Sequence, residues 1–280
     1  KVPQTFNEKE VTINDETIKG CYNESLDYTL VALKDENNNI SEREMATKLG
    51  IITNIPNESF FESFRELIKL SPINGQVVNY TKEIYKYEAL IRYITKEGVE
   101  IAPYHFINVA KKTKLYPNII KIVIQDSFKL IKNKNKRVSV NISFDDIANE
   151  ETTAFIYEIL EQNKDCTQFL EFEILESEEI SDFNEVSKFI SEIKKFNCIV
   201  GVDDFGAGYS NFNLLTLLDI DFVKIDGSLI EKINTSKDLE IIVNTIANFS
   251  KEFKVKTVAE YVSNEDIYTK IKELNIDYCQ

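Results

Sequence analysis

Two adjacent carboxylates, Asp203 and Asp204, close a short apolar run (Ile199-Val200-Gly201-Val202) and lead into a glycine-containing turn, Phe205-Gly206-Ala207-Gly208. Two unit charges about 4 Å apart repel by roughly 4 kcal/mol at an effective dielectric near ~20. A strand ending in such a pair therefore suits metal-held chemistry better than core packing, and further oxygen donors are expected elsewhere. Asn141 closes Val138-Ser139-Val140, Glu173 lies in Leu170-Glu171-Phe172-Glu173-Ile174, and Glu260 closes Val258-Ala259. Glu88 joins them if its side chain points inward. Lys224, in Phe222-Val223-Lys224-Ile225-Asp226, reads as a paired charge, because an unpaired buried lysine is costly.

These donors need elements that bring them to one place. From about residue 76 onward, strand-like runs at 86–92, 137–143, 168–175, 197–203, 221–226 and 254–260 alternate with stretches of helical periodicity at 103–116, 120–132, 150–163, 180–195, 227–251 and 264–274. Repeated strand-then-helix units favour a parallel sheet wound with helices. Their number points to an α/β barrel more than to an open doubly wound sheet, which stays as the alternative. In a barrel of parallel strands, polar residues near the C-terminal ends converge on one mouth.

Residues 1–75 read differently, as a small α+β region of unassigned role. Val11-Thr12-Ile13 and the run from Tyr28 to Leu33 suggest a hairpin, the segment from Asp35 to Asn39 a polar turn, and the segment from Glu58 to Leu70 a helix. Ile40 to Ile51 reads as a capped amphipathic helix rather than part of a DNA-binding pair.

Composition narrows the function classes. A formal charge of −14 argues against DNA or RNA polymers and anionic membranes as partners, since such binding draws on clustered Lys and Arg. The four cysteines are far apart, with no Cys-x-x-Cys pair, which fits a reducing cytoplasmic setting and indicates neither a zinc site nor a disulfide framework. The single histidine, His105, leaves zinc-protease and Ser-His-Asp schemes without their ligands or base. Gly206 and Gly208 do not make a dinucleotide-binding fingerprint. No apolar run approaches the roughly 18–20 residues of a membrane span. The sequence starts at Lys1 without a methionine, so it is expected to be a segment of a longer protein whose sensor domains or membrane anchor lie outside it.

The ordered motifs are Glu88-Ala89-Leu90 followed by Ile91-Arg92, then Asn141-Ile142-Ser143, Glu173-Ile174-Leu175-Glu176-Ser177, Asp203-Asp204-Phe205-Gly206-Ala207-Gly208, Val223-Lys224-Ile225-Asp226 and Val258-Ala259-Glu260. In this order and spacing, residues 76–280 resemble the EAL domain family of cyclic di-GMP phosphodiesterases. The resemblance implies a modified TIM-like (β/α)8 barrel with one antiparallel strand, which opens cyclic di-GMP to linear pGpG with Mg²⁺ or Mn²⁺ and commonly acts as a homodimer. It also implies roles by position. Glu88, Asn141, Glu173 and Asp203 match ligands of a first metal, and Asp203 and Asp204 match those of a second. Oxygen donors of this kind suit both cations, and a neutral Asn limits the negative charge presented to a phosphate. A two-metal site can activate a water and stabilise the attacking and leaving oxygens of an in-line displacement.

In the same resemblance Glu260 matches the general base and Lys224 the lysine that orients the water. Glu176 matches the residue that fixes the Asp203-Asp204 loop. Arg92 matches a phosphate contact, Gln280 a substrate-contacting glutamine, and Gln76 stands in for a glutamine ahead of the first motif. Leu175, Tyr261 and Ser263 depart from the family's Thr, Gly and Glu. These departures leave a second class open, a catalytically silent module that binds cyclic di-GMP or a protein partner. Relatives continue beyond the position of Gln280, so the barrel is expected to be incomplete within these residues.

Overall fold

Eight strands form a closed barrel in the computed structural model, which describes residues 7–13, 16–22, 32–33, 68–70, 76–94, 100–112, 116–175, 183–207 and 212–280. The strands are β1 (Gln76–Val78), β2 (Ile84–Glu88), β3 (Arg137–Ile142), β4 (Leu170–Leu175), β5 (Ile199–Phe205), β6 (Phe222–Ile225), β7 (Lys256–Ala259) and β8 (Tyr278–Cys279). Around the barrel they run β4-β5-β6-β7-β8-β1-β2-β3 and back to β4. Pairing is parallel except at β1, which is antiparallel to both β8 and β2. The modified (β/α)8 architecture with one reversed strand is therefore present. The two-residue β8 and three-residue β1 close the sheet through Cys279 and Val78.

Alternation along the strands sorts side chains between barrel and helices. On β4, Phe172 meets Phe189 edge-on at 5.9 Å between ring centres, so its neighbours Glu171 and Glu173 take the opposite face. From residue 116 onward the α-helices are α1 (Tyr116–Lys134), α2 (Phe144–Ala148), α3 (Glu150–Gln162), α4 (Phe183–Lys194), α5 (Asn213–Leu217), α6 (Gly227–Ile230), α7 (Lys237–Glu252) and α8 (Glu265–Glu273). Their buried residues recur at three- and four-residue spacing, as Val186, Phe189, Ile190 and Ile193 on α4 and Val243, Ile246 and Ala247 on α7. Side-chain oxygens of Ser143, Asn149, Asp226, Ser236 and Asn264 accept from orphan backbone N–H groups at the starts of α2, α3, α6, α7 and α8. Ser143 and Asp146 complete a capping box directly after Asn141 and Ile142, which fixes where β3 stops.

The chain divides into two compact units, one made of Leu70–Ile91 with Ile120–Gln280, the other of Lys1–Lys69 with Arg92–Ile119. In the second unit, Asn7–Ile13 pairs antiparallel with Glu16–Tyr22, which in turn pairs with Ala32–Leu33. The partner of Val11–Ile13 is thus the nearer segment, not the run 28–33; a tight two-residue connection closes at less entropic cost than a long one. Ile68–Leu70 is a strand, contrary to the helix expected over 58–70, and residues 58–67 lie outside the described residues together with 35–39 and 40–51. Ile68–Leu70, Ile91–Ile94 and Glu100–Ile101 make a three-stranded sheet. The expected single run over 86–92 is therefore two strands, parted at Ala89-Leu90. His105 ends an exposed 3-10 turn. Among the described residues no helix is long and apolar enough to cross a membrane.

Candidate functional site

The inward faces of β2, β3, β4, β5 and β6 deliver charged groups to one end of the barrel. Register sets their levels: Glu173 pairs across the sheet with Asn141 on one side and Gly201 on the other, and Leu175 with Asp203. Glu88 ends β2, and Glu260 follows β7. Glu88, Glu173, Asp203 and Glu260 each come within ion-pair distance of Lys224. Lys224, 1 % exposed, brings Nζ to 2.8 Å from Glu260 Oε1, 2.9 Å from Asp203 Oδ1, 3.2 Å from Glu88 Oε2 and 3.3 Å from Glu173 Oε2. Asn141 Nδ2 donates to Glu88 Oε1 at 2.9 Å, and Gln280 Nε2 donates to Glu88 Oε2 at 2.9 Å.

Sequence reasoning missed a second lysine. Lys86, also 1 % exposed, donates to Glu173 Oε1 at 2.7 Å and to Glu171 Oε2 at 2.9 Å, and its ammonium lies 3.7 Å over the Phe222 ring. Arg137 approaches Glu171 Oε1 at 3.4 Å from the other side. The signal was present in the strand period: Lys86 lies two residues before Glu88, and Glu171 two before Glu173, so each shares a face with a site residue. Room for the Phe222 ring comes from Gly201, where an added Cβ would lie 2.2 Å from Phe222 Cζ.

Charge does not balance in this interior. Glu88, Glu171, Glu173 and Asp203 are buried carboxylates, and Lys86 and Lys224 are the buried ammonium groups among the described residues. Burial works against both lysines, but the surrounding carboxylates outweigh it and hold their pKa values above the ordinary one, Lys224 most of all. Glu173, squeezed between them, is drawn down to about 2 against its own burial. Asp203 is left short: burial, only partly offset by Lys224 and reinforced by Glu173, Glu260 and Glu88, pushes its carboxyl up to about 8. Burial also raises Asp204, with Asp226 adding to it, and Glu260, where Lys224 opposes.

Two groups of acidic oxygens lie close enough to hold one cation each: Glu88, Glu173 and Asp203, and Asp203, Asp204 and Glu260, with Asp203 common to both. Asn141 Oδ1 and Glu173 Oε2 are buried and accept no hydrogen bond, so a neutral and an anionic oxygen, on residues that contact or belong to the first group, lack a hydrogen-bond donor. Asp204 adopts a left-handed backbone (φ 55°), tolerated by Asp, and its N–H donates to Asp203 Oδ1 at 3.0 Å. Hard oxygens, an excess of negative charge and an unsatisfied Asn oxygen fit a divalent cation such as Mg²⁺ or Mn²⁺.

The structure thus brings together Glu88, Asn141, Glu173, Asp203, Asp204, Lys224, Glu260 and Gln280. Gln76 and Gln280 line a cleft of about 360 Å³ with Ser263, Asn264 and Tyr268, and Gln280 also lines a neighbouring one of about 520 Å³ with Asp226, Glu260 and Tyr261. Arg92 belongs to the other compact unit, and Glu176 lies outside the described residues.

A mixed barrel with paired carboxylates at one mouth defines a class, and sequence comparison identifies it. The EAL domain profile matches residues 74–280, and the chain belongs to that family. Cyclic di-GMP phosphodiesterase PdeA of Borreliella burgdorferi is 30% identical over 200 residues, 70% of this chain and 30% of that protein. Cyclic di-GMP phosphodiesterase PdeF of Escherichia coli is 26% identical over 245 residues, 85% of this chain and 32% of that protein. The chain therefore spans about a third of the length of these curated relatives. Among solved structures, an EAL domain protein from Listeria monocytogenes superposes with a TM-score of 0.71 at 26% identity, covering 82% of this chain and 92% of the other. The EAL domain of Pseudomonas aeruginosa FimX, in a structure bound to c-di-GMP, shares the fold at TM-score 0.72 and 21% identity, covering 80% and 90%.

Proposed function

We propose that the chain hydrolyses cyclic di-GMP to linear pGpG. The observation that carries this reading is the pair of acidic groups sharing Asp203, with the orphaned Asn141 Oδ1 beside them. Glu88, Asn141, Glu173 and Asp203 would hold a first Mg²⁺ or Mn²⁺, and Asp203 and Asp204 a second. Bound there, the cations would offset phosphate charge and acidify the attacking water. The chain's own groups supply the rest. Water attacks phosphorus and gives its proton to Glu260, the bond from phosphorus to the 3′ oxygen breaks, and that oxygen leaves as a hydroxyl after taking a proton from solvent. Its raised pKa favours that role, since a base works best when its conjugate acid is not too strong. Lys224, 2.8 Å from Glu260 Oε1, holds that carboxylate in place and keeps a positive charge beside the reacting phosphate. Gln280 and Gln76, on the adjacent cleft, would contact the nucleotide. The assignments of Arg92 to a phosphate and of Glu176 to the Asp203-Asp204 loop rest on their motifs alone.

The test is chromatographic separation of pGpG from cyclic di-GMP after incubation with Mg²⁺ or Mn²⁺. Turnover that drops by about 10²- to 10⁴-fold in Glu260→Gln supports the enzyme. Tight nucleotide binding without product under either metal favours the silent sensor, a reading that draws on Leu175, Tyr261 and Ser263.

A further inference from the structure

We infer that Lys86 is a positioning residue that fixes which oxygen of Glu173 is offered to a cation, and so sets the preference of the site between Mg²⁺ and Ca²⁺. The inference rests on the metal-binding reading above and adds a residue that lies outside every motif of the site. Lys86 is fully enclosed, reaches Glu173 Oε1 at 2.7 Å and is itself anchored by Glu171 Oε2 at 2.9 Å. Glu171 is held in turn by Arg137 at 3.4 Å. The result is a line of alternating charge along the barrel interior, Arg137, Glu171, Lys86 and then Glu173, that ends at the acidic groups.

The consequence lies in how the Glu173 carboxylate is divided. Oε1 is committed to a short charge-assisted hydrogen bond, whereas Oε2 is buried, accepts no hydrogen bond and has the Lys224 ammonium beside it at 3.3 Å. Phe222 underlies the Lys86 ammonium at 3.7 Å and blocks its retreat, and the absent Cβ of Gly201 gives that ring its place. Glu173 is therefore a one-oxygen donor by construction. Mg²⁺ takes few, single carboxylate oxygens in a small octahedral shell, whereas Ca²⁺ takes more ligands and accepts both oxygens of one carboxylate. A Glu173 locked through Oε1 favours the smaller ion.

The experiment is calorimetric titration of the intact metal-free chain with Mg²⁺ and with Ca²⁺, for the wild type, Lys86→Met and Glu171→Gln. Lys86→Met is expected to weaken Mg²⁺ binding by about 10- to 100-fold, the usual effect of removing a partner that orients a ligand. Ca²⁺ binding should weaken less or strengthen, so the ratio of the two affinities falls. Glu171→Gln keeps the bond from Lys86 to Glu173 and should keep that ratio, which separates positioning from general damage to the buried network. Should Lys86→Met fail to fold with Glu171 stranded, the double variant Lys86→Met/Glu171→Gln removes both charges and gives the same reading. A wild-type affinity ratio in Lys86→Met, or in the double variant where Lys86→Met does not fold, overturns the inference. A wild type that binds neither Mg²⁺ nor Ca²⁺ overturns the metal-binding reading itself.

Discussion

Lys224 Nζ stands 2.8 Å from Glu260 Oε1, and the same ammonium is the only group among the described residues that bridges Glu260 to Glu88, Glu173 and Asp203 together. One buried cation thus holds carboxylates from four different strand ends against their mutual repulsion. That arrangement gives the lysine a structural role, and the proposed hydrolysis would give it an electrostatic one; the two separate experimentally.

Lys224→Met removes the charge while nearly preserving the volume. Breaking a buried ion pair by removing one partner costs about 3–5 kcal/mol. The variant should melt well below the wild type in EDTA. Excess Mg²⁺ should recover much of the loss, because the cation then supplies the missing charge. Turnover should stay down by about 10²- to 10³-fold even at saturating Mg²⁺, the loss expected when one preorganised charge is removed. Thermal melts with and without metal, run beside the activity assay, measure both; a variant as stable as wild type in EDTA contradicts the structural role.

Asp203 would give metal affinity a pH dependence. With its carboxyl pushed up to about 8 in the metal-free protein, chiefly by burial, the residue is largely protonated at neutral pH. A cation must displace that proton. Apparent affinity should therefore rise with pH, by about tenfold per unit between roughly pH 6 and 8, and level off above. The sign is that of an acid whose pKa is raised: the proton competes on the acid side, and the penalty vanishes once pH passes the raised value. Titration calorimetry in two buffers of different ionisation enthalpy reads the released proton directly. Affinity that does not change over this range contradicts the assignment of Asp203.

How much of this was legible in the sequence depends on strand length. The runs that hold Asn141, Glu173, Asp203 and Lys224 are four to seven residues long and set polar residues toward their C-terminal ends, so their convergence on one mouth of a barrel was legible. β1 and β8, of three and two residues, are too short to carry a period, and the closure of the barrel through Cys279 and Val78 could not be read from them. Lys86 escaped for a different reason. Between Tyr85 and Tyr87 it resembles the polar face of a half-exposed strand; its two-residue spacing from Glu88 was the one signal in the sequence, and the register that sets it opposite Arg137 and beside Glu171 makes the burial plain. The strand at Ile68–Leu70 escaped because its pairing is with residues distant in the chain, which local helical spacing does not report.

Gly201 tests the packing beneath the site. A Cβ there would fall 2.2 Å from the Phe222 ring, so Gly201→Ala forces the ring off the position it takes under Lys86. Overpacking of this kind costs about 1–3 kcal/mol. Phe222→Leu in the same chain should relieve the clash, so the double variant loses less stability than the two single losses added together. Urea unfolding of the four proteins gives the coupling; strictly additive losses contradict the contact.

Tyr261 separates the two functional readings. It lines the cleft beside Glu260, is 65% exposed, and holds a left-handed backbone with φ 57°, where a side chain costs about 1–2 kcal/mol. Glycine at this position removes the strain but adds about 0.4–1 kcal/mol of unfolded-chain entropy, so Tyr261→Gly should be slightly more stable, by about 0.5 kcal/mol. In a chain this size that is about 1–2 °C in melting temperature. If the chain is an enzyme as it stands, returning Tyr261, Leu175 and Ser263 to Gly, Thr and Glu should change turnover by no more than a few-fold, because none of the three supplies an oxygen to the acidic groups that share Asp203. If it is a silent sensor, the triple variant should gain hydrolysis from a background of none. Measured against the wild type under Mg²⁺ and Mn²⁺, a gain from no turnover to steady pGpG production would move the assignment from phosphodiesterase to nucleotide-binding module.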